Sequence, residues 1–381
     1  VSATGTVRFD RGEWSGAFGD LGTDLPLLVG MILAAGLDAA SVMTVFGVMQ
    51  IATGLRYRMP MPVQPLKAMA AIVIAQKLPA GVLYGAGLAI GVSMLLLTAT
   101  GLLEWIHRAV PKPVVRGIQF GLGLQLAGIA LADFVRAEGA AGWWLAGTGF
   151  VITLLLIGRR RVPSAVILVA LGAVYAFVFR LSPATLLESA GFHLPQWHTP
   201  SGAEIWTGFL LLALPQIPLS IANSALATRQ ITEDLFPERA VTVRSIGWTY
   251  SLMNLVNPFL GGVPTCHGSG GMAGHYAFGG RTGGSVVIYG AMYVALGAVF
   301  GPGFQAVVGV FPKPILGVLL LFEGVTLLGL SRDLTERRAD FLLAVIVGLI
   351  AASIPYGYLV GLLAGVAVYH LANRGLVKLG A

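Results

Sequence analysis

Charge is what this chain has least of. Asp, Glu, Lys and Arg make up only 11% of its 381 residues, against about 25% in soluble domains. Hydrophobic residues are 56% and the mean hydropathy is +0.82. Such a composition belongs in a bilayer. Cysteine is almost missing: Cys266 stands alone, which excludes an internal disulfide. No His-Glu-x-x-His occurs, so the zinc-peptidase signature is lacking. Asp20 and Asp24 are too few for the aspartate-rich Mg²⁺ site of a prenyl-transfer enzyme. These absences argue against an intramembrane enzyme, a metal site or a cofactor. The N-terminus also lacks a cleavable-signal pattern, since Val1 to Glu13 is polar and leads into a full apolar run.

Apolar runs and glycine, by contrast, are plentiful. Glycine accounts for 52 residues, a composition suited to close helix packing in lipid. Runs near 15–36, 40–56, 64–77, 82–105, 113–132, 142–158, 163–181, 205–227, 241–258, 266–279, 284–301, 314–331, 339–353 and 357–373 predict an all-α polytopic protein of fourteen spans, two of them short. With the N-terminus inside, nineteen of the 24 Lys and Arg fall on the inner side, among them Arg56, Arg58, Arg108, Arg159, Arg160 and Arg161. Only Lys77, Arg136, Arg180 and Lys313 fall outside, and Lys67 lies within a span. This asymmetry follows the positive-inside rule and puts both termini in the cytoplasm. The net charge of +7 therefore anchors the chain to the inner leaflet and implies no nucleic-acid partner. All seven Trp fall near predicted span ends, as interfacial anchors do. The loop from Ser182 to Ala203, with Glu188, His193 and His198, reads as a solvated connector: its two His are five apart with Pro195 between them, which is not helical metal-ligand spacing.

Short motifs recur. Pro111-Lys112-Pro113, followed by Gly123 and Gly128, returns 201 residues later as Pro312-Lys313-Pro314 with Gly324 and Gly329. Trp14, Gly16 and Leu25-Pro26-Leu27 return as Trp206, Gly208 and Ile217-Pro218-Leu219 at an offset of 192. Two halves, 1–190 and 191–381, are expected, each of seven spans. Seven is odd, so the second half must be inverted relative to the first, the architecture of alternating-access transporters.

Two segments break the membrane pattern at the third span of each half. Arg56-Tyr57-Arg58-Met59-Pro60-Met61-Pro62-Val63-Gln64-Pro65-Leu66-Lys67 is one, and Gly261-Gly262-Val263-Pro264-Thr265-Cys266-His267-Gly268-Ser269-Gly270-Gly271 is the other. Proline removes backbone donors and glycine loosens a helix, so each should be extended first and helical afterwards. Irregular backbone at membrane depth survives only when buried in protein or lining a wet cavity. In inverted halves the two short helices start near the midplane with their N-termini facing, and such termini favour an anion. Gly268, Ser269 and Gly270 would bring backbone N–H groups and a hydroxyl to the ligand; Gln64, Pro65 and Thr265 sit at the equivalent mouths.

Other polar residues in the spans have two readings each. Lys67 is either a ligand counter-charge or a residue snorkelling to the inner interface. His267 is a ligand donor or a structural hydrogen-bonding group. Asp20 and Asp24, four apart in the first span, are either a proton or cation relay or buried partners for Lys67 or an Arg. Gln216 and Asn223 in the eighth span either donate to an oxyanion or bond across helices.

The chain resembles the molybdate transporter family, a relative of sulfate permeases. The resemblance rests on Gly16-Ala17-Phe18-Gly19-Asp20-Leu21-Gly22-Thr23, on Pro60 to Lys67, on Val115-Arg116-Gly117-Ile118-Gln119, on Pro215 to Ser224 and on Pro264 to Gly271. It implies a uracil-permease-like fold, with a core domain of spans 1–4 and 8–11, a gate domain of spans 5–7 and 12–14, and substrate between spans 3 and 10. It implies a secondary transporter of a tetrahedral oxyanion, molybdate first and sulfate as the nearest competitor, with a coupled proton or cation left open. Related folds suggest a homodimer. The predicted location is the inner membrane of a bacterium. Sulfate permeases usually carry a C-terminal STAS domain, whereas this sequence ends about eight residues after its last span. A nucleobase permease would want a carboxylate facing the ligand in span 8, which has Gln216 and Asn223 instead; saturable uptake would separate a carrier from an anion channel.

Overall fold

The computed structural model describes residues 6–103, 105, 110–156, 164–180, 184, 191–239, 241–300 and 308–377. Arg108, Arg159, Arg160, Arg161 and Glu188, named above, lie outside these residues.

The fold is almost wholly helical. In the first half, α1 (Arg11–Gly16), α2 (Leu21–Ala35) and α3 (Ala39–Tyr57) precede a three-residue strand, β1 (Val63–Pro65). Then come α4 (Lys67–Gln76), α5 (Ala80–Thr100), α6 (Lys112–Ile129), α7 (Gly139–Leu156) and α8 (Ser164–Phe179). The second half begins with α9 (Gly202–Gly208), α10 (Leu214–Leu219) and α11 (Ala227–Leu235), followed by α12 (Val243–Val256). Strand β2 (Thr265–His267) leads into α13 (Ser269–Ala277), α14 (Gly284–Phe300), α15 (Lys313–Gly329), α16 (Arg338–Ser353) and α17 (Gly357–Asn373).

Local chemistry sets the element ends. Asp10 and Asp38 cap α1 and α3 with their carboxylates, and Ser201 with Glu204 forms a reciprocal capping box at α9. Pro111 and Pro312, the first prolines of the repeated motif, each sit immediately before a long helix, with a second proline in its first turn.

Among the described residues, five helical runs are long and apolar enough to cross a bilayer: Ala39–Tyr57, Ala80–Thr100, Lys112–Leu156, Gly202–Leu219 and Lys313–Leu334. The 45-residue run Lys112–Leu156 would be about 68 Å long at 1.5 Å per residue, far more than one bilayer. It turns at Gly139, whose φ of 60° suits glycine.

The helices pack in two groups. The second-span helix α3 packs most extensively on α14, and α5 packs on α9 and α12. Separately, α6 packs on α15 and α16, and α16 on α17. A second apolar cluster built on Leu168, Ile315 and Val318 joins α8 to α15. The group containing α6 and α15 is tied polar-end to polar-end. Arg116 and Lys112 converge on Asp333 at 2.6 and 2.8 Å, while Glu138 binds Arg180 and accepts from the Lys313 N–H. All seven Trp are solvent- or lipid-facing.

Two features differ from the sequence reading. The first span is not one regular helix: it breaks between Gly16 and Leu21, so Asp20 is an N-cap residue and Asp24 lies in the first turn of α2. The break lets backbones touch, since a Cβ at Gly19 would lie 2.4 Å from the carbonyl carbon of Gly274. The connector is exposed over most of 191–200, as expected, but it is also pinned down there, which the sequence did not show. Its Gly191 and His193 N–H groups bond to Val299 and Ala298 carbonyls, and the His193 ring lies 3.2 Å from Asp38.

Candidate functional site

The two Pro/Gly-broken segments meet. Strands β1 and β2 pair antiparallel, with Val63 opposite His267, Gln64 opposite Cys266 and Pro65 opposite Thr265. A two-stranded ribbon buried in protein has two open edges whose N–H and C=O groups need partners. Side-chain amides supply them. Gln50 of α3 donates to the Val63 carbonyl (2.7 Å) and accepts from its N–H (2.8 Å). Asn254 of α12 does the same for Thr265, at 2.6 and 2.9 Å. Sequence reading missed both amides, although they stand at related positions, 13 residues before Val63 and 11 before Thr265.

From this ribbon α4 and α13 lead away, each with free N–H groups in its first turn. They are treated differently. Gln216 reaches across to α4, its Oε1 accepting from Ala68 N–H at 3.0 Å and more weakly from Met69 N–H at 3.4 Å. The N-terminus of α13 has no side-chain cap, and Ser269 and Gly270 face a cavity. The expectation that both half-helix termini are open to a ligand is thus corrected for α4: Gln216 already occupies its donors.

Gln216 can do this because its span is irregular. Pro215 and Pro218 remove two donors, and π-helical turns at 209–213 and 220–226 flank α10. Such turns re-aim side chains and recur at functional sites. Asn223, on the second of them, accepts from Gln119 at 2.9 Å.

The cavity holds about 270 Å³, below the roughly 300–1,000 Å³ typical of drug-sized ligands. Of the residues singled out from sequence, Gln64, Lys67, Gln216, Asn223, His267, Gly268, Ser269 and Gly270 line it. Pro65 and Thr265 do not; they are consumed by the ribbon, and Thr265 Oγ1 accepts from Asn257. His267 is fully buried, with Nε2 2.7 Å from Thr249 and its ring edge-on to Tyr57, and it also lines the cavity. Gln64 contributes its side chain, but its amide is already shared: Nε2 donates to both Asp20 oxygens at 2.6 and 2.7 Å.

Asp20 and Asp24 are buried and do not line the cavity. Asp24 accepts from Tyr289, which is bonded in turn to Tyr293, and its Oδ1 has no partner among the described residues. Neither Asp pairs with Lys67. Its partner is Glu323, at 2.6 Å, a residue of α15 that sequence reading did not select. The signal was available: a lone acid in an apolar 17-residue helix is a functional candidate by cost alone. Arg116 and Gln119 also line the cavity; they had been assigned to an inner-leaflet anchor and to a motif of the resemblance. Among the described residues no cluster of three His, Cys, Asp or Glu could hold a metal ion.

The charges at the site suit a small anion. Lys67 and Arg116 present cationic groups, Ser269 and Gly270 an uncapped helix start, and the acids near by are each held by a partner.

The architecture is one already seen in solved membrane proteins. The fold matches the transmembrane domain of a cyanobacterial bicarbonate transporter, BicA, with a TM-score of 0.66 at 16% identity over 90% of this chain and 97% of that one. It also matches murine Slc26a9, an anion transporter solved in the inward-facing state, at 0.68 and 13% identity, over 98% of this chain and 70% of that one. The sequence narrows the class. A profile of the family described as "Molybdate transporter of MFS superfamily" matches residues 12–126 and 208–327. Molybdate transporter 2 of Arabidopsis thaliana is 32% identical, with 87% of this chain and 81% of that protein covered; molybdate transporter 1 of the same plant is also 32% identical, over 97% and 91%. The chain belongs to the molybdate transporter family, whose members are membrane transporters and not enzymes.

Proposed function

We propose that this protein carries molybdate across a membrane as a secondary transporter, binding it in the cavity between β1–α4 and β2–α13. The observation that carries this reading is the start of α13, uncapped by any side chain among the described residues, where Ser269 and Gly270 line one small cavity together with Lys67 and Arg116. A tetrahedral dianion needs short, convergent donors and nearby positive charge, and the site offers both.

The same reading takes the fourteen apolar runs as two inverted sets of seven. The antiparallel crossing of β1 and β2 supports inversion. So do the two family-profile matches, which start 196 residues apart, between the two motif offsets. Spans 1–4 and 8–11 form a core and spans 5–7 and 12–14 a gate, in keeping with the two packing groups. Transport is then movement of the core, with its bound anion, past the gate. The cavity lies toward Arg116, Leu330 and Asp333, the side on which Lys and Arg are concentrated, so it opens to the cytoplasm, where both termini lie. The membrane is taken as a bacterial inner membrane. Asp20 and Asp24 form the buried acidic group for a coupled proton or cation, and a homodimer through the gate is the expected assembly.

Equilibrium binding of molybdate to the purified protein, with sulfate and uracil as competitors, tests the assignment. Tight molybdate binding that excess sulfate barely displaces is expected. Displacement by equal sulfate would make the protein a general oxyanion carrier. Uracil binding without molybdate binding would overturn the reading.

A further inference from the structure

We propose that Glu323 takes up a proton when the oxyanion binds, acting through Lys67. This rests on the oxyanion reading of the cavity and adds to it a carboxylate, besides Asp20 and Asp24, that links anion binding to a proton.

Lys67 is the first residue of α4 and lines the cavity; Glu323 does not line it. The two are joined at 2.6 Å, and Glu323 is only 9% exposed. Its second oxygen accepts from Thr23 Oγ1 at 3.3 Å. One of the two cations lining the cavity is therefore the one that neutralises a buried carboxylate on α15. A dianion entering the cavity competes with Glu323 for the same ammonium. If Glu323 stays ionised, Lys67 must serve both a dianion and a carboxylate, while Arg116, the other lining cation, is itself shared with Asp333, and like charges at such a partly buried site repel more strongly than in water. If Glu323 accepts a proton from bulk solution, relayed by cavity water, it becomes a neutral acid. Lys67 stays an ammonium, now wholly available to the anion, and no other bond changes.

The surroundings single out Glu323. From α2 its titratable neighbours are Asp20 and Asp24, both buried. Asp20 accepts from Gln64 at both oxygens, and Asp24 points to Tyr289. Neither shares a cation that lines the cavity. From α6 the nearby cation Arg116 is forked onto Asp333. Helix α7 carries no charged residue, and α8 carries only Tyr175 as a titratable group. The turn before α7 brings Asp133, Arg136 and Glu138, but at the far end of α15, where Glu138 accepts from Lys313 N–H. Ten residues of helix, about 15 Å, separate that end from Glu323.

The test is molybdate binding and proton uptake, measured together on the purified full chain between about pH 5.5 and about pH 8, with a pH indicator in weak buffer. In the wild type, proton uptake should accompany binding, and affinity should fall by up to about tenfold per pH unit once Glu323 is ionised, the slope of a one-proton linkage. Glu323→Gln, neutral and nearly isosteric, should bind molybdate with no linked proton and a flat pH profile. Glu323→Asp should keep both proton uptake and a sloping profile, a rescue that a purely structural role would not give. Binding without proton uptake in the wild type would overturn the proposal while leaving the oxyanion site intact, as would unchanged uptake in Glu323→Gln. Should Glu323→Gln not fold, Glu323→Asp decides: a flat profile in a folded, binding-competent Asp variant overturns the proposal. Absence of molybdate binding in the wild type at every pH would overturn the oxyanion reading itself.

Discussion

Gln50 holds Val63 as a neighbouring β-strand would. Its amide donates to the Val63 carbonyl at 2.7 Å and accepts from the Val63 N–H at 2.8 Å, and both groups are buried. Leucine at position 50 would keep the volume and strand two backbone groups. Each buried unsatisfied group costs about 1–3 kcal/mol. Gln50→Leu should therefore lose roughly 2 kcal/mol or more of stability, seen as earlier thermal unfolding in detergent. Asn254→Leu should behave alike, because Asn254 serves Thr265 in the same way. A variant as stable as wild type would mean that water takes over the edge.

Gly268 has no room for a side chain. An added Cβ would sit 1.7 Å from Gln64 Oε1 and 2.1 Å from the carbon that bears it. Alanine there must drive Gln64 off Asp20, breaking the two contacts at 2.6 and 2.7 Å. Gly268→Ala should reduce molybdate uptake by more than about tenfold, the effect of losing 1.4 kcal/mol or more. Ser269→Ala removes one neutral hydroxyl from the cavity wall and should weaken binding only about two- to tenfold. Equal losses in the two variants would show that Gln64 is not what position 268 protects.

These residues also mark how far the sequence could be read. The broken segments were legible because proline and glycine leave a local trace, and their equivalence followed from motifs at matched offsets. The register that puts Gln64 opposite Cys266 was not legible, since register is a tertiary outcome. Gln216 was found as a polar residue in a span, but its role as the cap of α4 depends on two π-helical turns that composition does not show. Glu323 was missed for a plainer reason: intramembrane cations were counted and Lys67 stood out, while the acid that neutralises it lies 256 residues away. Arg116 was counted as an inner anchor. It is one, through Asp333, and it also lines the cavity.

That double position makes Arg116 separable from its neighbour. Lys112 binds the same carboxylate at 2.8 Å but is 60% exposed and does not line the cavity. Arg116→Ala should raise the KM for molybdate about tenfold or more, as expected on removing a charged group whose hydrogen bonds are worth about 1.5–3 kcal/mol. Lys112→Ala should change uptake less than about twofold, in line with the small worth of exposed ion pairs. Matching effects in uptake assays would show that Asp333 anchoring, and not the cavity charge, governs transport.

Gly270 offers the sharpest test of where the anion sits. It lines the cavity beside Ser269, and a Cβ built on it meets nothing within 4 Å. Alanine should therefore fold normally, since no neighbour has to move and alanine favours the helix over glycine by about 1 kcal/mol. The methyl group would occupy space that the ligand needs. Molybdate is the larger of the two tetrahedral dianions, so it should suffer more than sulfate. Gly270→Ala should unfold no earlier than wild type, bind molybdate several-fold more weakly and move the molybdate-to-sulfate preference toward sulfate. Unchanged affinities for both anions in a stable Gly270→Ala protein would place the ligand away from the start of α13, and with it the donors on which the proposed site depends.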